Sequence, residues 1–123
     1  MLLCFAVDKC AVSPTGDRLY ITNWYHDKLL TLARDGTLLA TYSDPARVWP
    51  RGLHVTPAGQ VLVCGWGSHT VLQVGWEGKS KLANLATQED GVRRPSSVCY
   101  SSTTSSIIVG QDDSNNILVF RVE

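Results

Sequence analysis

The chain repeats itself, and that constrains its fold more than any other feature. Ser13-Pro14-Thr15-Gly16 precedes the apolar run Leu19-Tyr20-Ile21. Thr56-Pro57-Ala58-Gly59 precedes Val61-Leu62-Val63-Cys64, and the two turn glycines lie 43 residues apart. A degenerate third copy, residues 101–106, precedes Ile107-Ile108-Val109-Gly110. A second set of runs recurs after 42 and then 46 residues: Leu29-Leu30-Thr31-Leu32, Val71-Leu72-Gln73-Val74 and Ile117-Leu118-Val119-Phe120. A third landmark, Pro50-Arg51-Gly52-Leu53-His54-Val55, is answered 45 residues on by Pro95-Ser96-Ser97-Val98-Cys99-Tyr100. Landmarks that share a period of this size mean a propeller, a solenoid or an array.

The apolar segments are short, rich in Val, Ile, Leu and Tyr, and broken by turn residues, which is a strand rhythm rather than a helical one. In the middle repeat strands are expected near 52–56, 60–65, 71–75 and 81–86. Four short antiparallel strands per repeat make one propeller blade. The expected fold is therefore all-β: a partial β-propeller of about three four-stranded antiparallel blades. It forms one domain over residues 1–123, with repeats at about 8–49, 50–94 and 95–123, the last incomplete.

Composition narrows the function. The chain is 44% hydrophobic and 18% charged, with a formal net charge of +0, so no global field draws it to nucleic acid or to an anionic membrane. The apolar run at residues 2–7 is too short to span a bilayer and lacks signal-peptide flanks, and no glycosylation sequon is present. A cytoplasmic setting without membrane contact is expected. Cys4, Cys10, Cys64 and Cys99 form no close pair, and His26, His54 and His69 are equally scattered, so neither a metal site nor a cofactor is expected. The cysteines read as buried free thiols. Cys10 and Cys64 occupy positions held by aliphatic residues in other repeats, and Val12, Val55 and Tyr100 read as core as well.

The stretch Pro50-Arg51-Gly52-Leu53-His54-Val55-Thr56-Pro57-Ala58-Gly59-Gln60-Val61-Leu62-Val63 resembles the opening of an NHL repeat. Gly67-Ser68-His69-Thr70-Val71-Leu72-Gln73-Val74 resembles the family's middle segment, and Asp35-Gly36-Thr37 and Glu77-Gly78-Lys79 its closing turn. The resemblance implies half of a six-bladed ring of the kind found at the C-terminal end of tripartite-motif (TRIM-NHL) ubiquitin ligases. It implies a fragment of such a protein, or a half-ring that self-associates through open blade edges. Ligase chemistry would reside in RING sequences that this chain lacks. With the blades assigned as above, the turns between second and third strands and the blade-to-blade connections share one face.

No nucleophile elbow, phosphate loop or His-Glu-x-x-His motif is present, and Asp112-Asp113 reads as a solvated turn. No catalytic residue is assigned, and a non-enzymatic interaction module is expected. The shared face would collect Trp24, His26, Arg47, Trp49, Arg51, Trp66, His69, Arg93 and Arg94, residue types that anchor interfaces. A protein partner is the first reading. RNA bound by the arginines with Trp49 stacking is an alternative. A metal-dependent lactonase or lyase is another. His26 and His69, at equivalent turn positions, are expected to support their turns.

Overall fold

The computed structural model describes residues 9–23 and 26–122. The blade 1 strands are β1 (Lys9–Val12), β2 (Arg18–Asn23), β3 (Lys28–Ala33) and β4 (Leu38–Tyr42). Blade 2 contains β5 (Pro50–Val55), β6 (Val61–Gly65), β7 (Thr70–Val74) and β8 (Lys81–Ala86). Blade 3 contains β9 (Pro95–Ser101), β10 (Ser106–Gln111) and β11 (Leu118–Arg121). Each sheet is an antiparallel meander in chain order, four-stranded in blades 1 and 2 and three-stranded in blade 3. The chain is an all-β, propeller-like stack. A 3-10 turn at Gln88–Asp90 is the one helical element among the described residues.

Turn chemistry sets the reversals. Gly16 and Gly59 close the turns between first and second strands, each donating its N–H to the carbonyl three residues back, Ser13 at 2.9 Å and Thr56 at 2.8 Å. Both glycines are left-handed, with φ of 76° and 86°, a region that costs a side-chain-bearing residue about 1–2 kcal/mol. Blade 3 lacks that glycine, and Ser105 takes a left-handed conformation in its turn instead (φ 50°).

Blade 2 is buried on both sides, which is why β6 reads as an unbroken apolar run rather than an alternation. Val61, Val63 and Val74 pack with Tyr20 and Leu29 of blade 1. Leu62, Cys64, Val71 and Ala86 pack with Val98, Ile107 and Val109 of blade 3. The first strands β1, β5 and β9 lie side by side, and β5 touches both neighbours. Polar links cross the blades too: Thr22 Oγ1 donates to the Arg51 carbonyl at 2.9 Å, and the Tyr20 hydroxyl to the Trp76 carbonyl at 2.7 Å.

Some expected core positions differ. Val12 is 54% exposed, and Cys10 and Cys99 are also exposed, whereas Cys64 is buried. Cys99 lies between Val98 and Tyr100 on β9 and so takes the opposite strand face, and blades 1 and 3 each have a neighbour on one side only among the described residues. Ile117 and Val119 of blade 3 are 68% and 62% exposed for the same reason.

One buried group is under-satisfied. Thr31 is fully buried beneath Gly78, and its Oγ1 has no hydrogen-bond partner among the described residues. A buried hydroxyl without a partner costs about 1–3 kcal/mol. Thr31→Val keeps the branched shape and removes that hydroxyl. Stability is expected to rise by about 1 kcal/mol, read as a higher urea midpoint at unchanged slope.

Candidate functional site

The connections between blades (43–49 and 87–94) and the turns joining second to third strands (66–69 and 112–117) share one end of the stack, because antiparallel meanders return their alternate turns to the same side. Arg47, Trp49, Arg51, Trp66, His69, Arg93, Arg94 and His26 all lie at this end. Trp24 lies outside the described residues.

A repeated device ties each connection to the preceding blade's turn. Asp27 Oδ1 accepts the backbone N–H of Trp49 at 2.6 Å, immediately before Pro50. At the equivalent place one blade on, His69 Nδ1 accepts the backbone N–H of Arg94 at 3.1 Å, immediately before Pro95. All four residues are left-handed, with φ of 56°, 50°, 55° and 44°. Asp113 repeats the turn conformation in blade 3 (φ 57°). Non-glycine residues in this region are strained, and such strain concentrates at functional sites and persists where surrounding contacts hold it. The expected equivalence of His26 with His69 is corrected: Asp27 holds that place, one residue before the third strand, and the His26 backbone N–H donates to Oδ1 of the nearly fully buried Asn23 at 3.0 Å.

Asp112 is the hub of the site. Its Oδ2 accepts the Trp66 indole N–H at 2.7 Å and an Arg51 guanidinium N–H at 3.2 Å, and its own backbone N–H donates to the Arg94 carbonyl at 3.0 Å. This bridge joins blade 2 to blade 3. Arg94 lies over the Trp66 ring, 5.4 Å from its centre, and pairs with Asp113 at 3.4 Å. The backbone N–H of Arg93 donates to Gln111 Oε1 at 2.6 Å, which leaves the Gln111 amide NH2 as a donor. The structure thus corrects the reading of Asp112-Asp113 as a merely solvated turn: Asp112 is half-buried and three times engaged.

These groups border a polar cavity of about 420 Å3, lined by Gly91, Arg93, Arg94, Gln111, Asp112, Asp113, Ser114 and Asn116. Trp49 and Arg47 stand on the neighbouring connection, with the Trp49 ring against Gly67. Nearby, the Tyr42 hydroxyl donates to Asp44 at 2.8 Å. Burial and that bond raise the tyrosine's pKa, while the Ala46 N–H and the same hydroxyl hold Asp44 below the usual carboxylate range. No group of three metal-ligating side chains occurs among the described residues, and no described helix is long and apolar enough to cross a membrane.

No protein-family model matches the chain, and no curated protein does. Solved structures do. Hydrazine synthase from Kuenenia stuttgartiensis matches with TM-score 0.78 at 22% identity, over 94% of this chain and 32% of its own. An inactive variant of virginiamycin B lyase from Staphylococcus aureus matches at 0.64 and 16%, over 94% and 41%. A Bacteroides uniformis protein assigned as a 6-phosphogluconolactonase matches at 0.70 and 18%, over 93% and 35%. At these identities the likeness is one of fold, and the chain spans between about a third and two fifths of each neighbour. The expectation of a non-enzymatic module is corrected here, because the neighbours are named enzymes. Local motifs were a poor guide to the Asp112 bridge, whose side chains come from two blades and leave no short motif.

Proposed function

We propose that the chain carries part of the ligand-binding face of an enzymatic β-propeller of the lyase or lactonase kind. The ligand is a small polyhydroxylated acid or its ester, held in the cavity beside Asp112. The observation behind this reading is the Arg51–Asp112–Trp66 bridge, which fixes one wall of a polar cavity of small-molecule size. Asp112 and Asp113 already hold arginines, whereas the exposed Arg93 side chain has no ion pair among the described residues. A carboxylate on the ligand suits that guanidinium, and the Gln111 and Asn116 amides suit hydroxyls. Asp112, oriented by its two donors, is placed to accept a proton or a hydroxyl hydrogen bond at a constant position.

Calorimetric titration with gluconate, with neutral glucose as the reference, tests this. Gluconate is expected to bind saturably and more tightly than glucose. Arg93→Ala is expected to weaken it by about tenfold or more, the worth of a charged hydrogen bond. Gluconate binding no tighter than glucose, or unmoved by Arg93→Ala, overturns the reading.

The NHL-type reading, docking of a protein partner, draws on a different observation: Trp49 and Trp66 stay half-exposed beside exposed Arg47, the residue types of interface anchors. RNA is less well supported. Asp27, Asp44, Asp112 and Asp113 are interleaved with the arginines at this end, so it lacks a continuous positive surface.

A further inference from the structure

We infer that His69 is a pH-responsive positioning residue that sets Arg94, and with it the wall of the cavity beside Asp112. The inference rests on the ligand-site reading for its consequence, but not for its geometry. The fold supplies its own control. At the blade 1–2 junction the acceptor for the N–H before the proline is Asp27. At the blade 2–3 junction the same acceptor place is taken by the imidazole Nδ1 of His69. A carboxylate accepts that bond throughout the neutral range. An imidazole accepts it only while unprotonated, since both nitrogens of the imidazolium are donors.

Protonating His69 therefore removes the acceptor and puts a cation beside Arg94. Arg94 is left-handed, at φ 44°, and its N–H bond to His69 is one of the contacts that hold it there. Its carbonyl also accepts the Asp112 N–H, and its guanidinium covers Trp66, so releasing it loosens the groups that orient Asp112. The charged groups on the elements packed against the His69 turn are Arg93 and Arg94 with Glu89 and Asp90 on the following connection, Asp112 and Asp113 on the blade 3 turn, Arg51 on β5, and Asp44 and Arg47 on the preceding connection, whose Val48 and Trp49 carbonyls accept the Gly67 and Trp66 N–H groups. Arg94 and Asp113 among them form an exposed ion pair at 3.4 Å. In acid the His69–Arg94 bond opens while the Asp27–Trp49 bond stays closed.

The test is a nuclear magnetic resonance titration of the full chain from pH 8 to pH 5. The Arg94 amide and the Trp66 indole N–H are expected to shift with the midpoint shown by the His69 ring, and Arg94 amide exchange, corrected for its intrinsic pH dependence, is expected to speed up by about tenfold. The Trp49 amide, on Asp27, is expected to stay still. His69→Asp is expected to keep the junction closed at both ends of the range. If that variant does not fold, His69→Asn offers an acceptor that does not titrate. An Arg94 amide that ignores the His69 titration, or the same acid shift in His69→Asp, overturns the inference whatever the ligand does. An Arg94 amide that follows His69 while gluconate fails to bind upholds the junction and sinks only the ligand reading.

Discussion

Gly52→Ala is expected to cost the chain about 3 kcal/mol, close to the upper end for an overpacked site. Gly52 lies on β5, where the first strands of blades 2 and 3 run side by side. A Cβ built there would stand 2.7 Å from the Ser96 carbonyl oxygen, 2.8 Å from Ser97 Cα and 2.9 Å from Cys64 Sγ. Two of those three atoms are backbone, so no rotamer change relieves the contact. The strands must move apart, and the Leu62–Val98–Ile107 cluster between the blades loosens with them. Gly59→Ala is the control. Its φ of 86° is strained for alanine, but nothing lies within 4 Å of the new atom, so it should cost only about 1 kcal/mol. Urea unfolding of both variants separates close approach from dihedral strain. Equal losses would show that the first strands do not pack as described.

That glycine illustrates what the sequence could and could not disclose. The turn glycines were legible because a left-handed turn leaves a local signature next to an apolar run. The strands of blade 2 were legible within a residue or two, since β6 and β7 carry aliphatic runs between turn residues; 71–75 was expected and Thr70–Val74 is observed. Gly52 was read only as part of a repeat opening, because what requires it is the backbone of Ser96 and Ser97, more than forty residues away in the chain. Asp112 was missed for the same reason. Its partners Arg51 and Trp66 are 61 and 46 residues distant, and a carboxylate beside a second carboxylate on a turn looks like solvent-facing polarity. His69 was expected to support its own turn; in the structure it supports the next blade's connection instead. A comparison of Asp27 with His69 across the repeats could have raised that question, since both precede a third strand by the same interval. The cysteines mark the opposite limit. Alternation places Cys10 and Cys64 on strand faces equally well, but only the stacking of blades decides which faces are covered.

Cys64 provides the second large effect, a loss of stability in alkali. The thiol is fully buried, and burial pushes its pKa from 9.0 up to about 12, against a smaller opposing contribution from the Gly52 N–H. In the unfolded chain the same thiol ionises near its ordinary value. Between about pH 9 and pH 12 the unfolded state therefore binds fewer protons than the folded state, and stability falls with rising pH. The contribution is complete below the unfolded pKa and is lost progressively through this window, at about 1.4 kcal/mol per pH unit. Burial also raises Tyr20 and Tyr42, and Asp44 raises Tyr42 further, so both steepen the loss above about pH 10. Asp44 acts with the opposite sign: its lowered pKa adds stability that is present above the ordinary carboxylate range and lost as pH falls below it. Urea midpoints measured under reducing conditions from pH 8 to pH 11 should fall more steeply for the native chain than for Cys64→Ala. The variant starts lower, because it leaves a small void, but it has no thiolate to gain on unfolding. Parallel curves would mean that Cys64 is reached by solvent in the folded state. Alkylation gives the independent reading: at pH 8 the exposed Cys10 and Cys99 should react with iodoacetamide in the folded chain, and Cys64 only once blades 2 and 3 have separated.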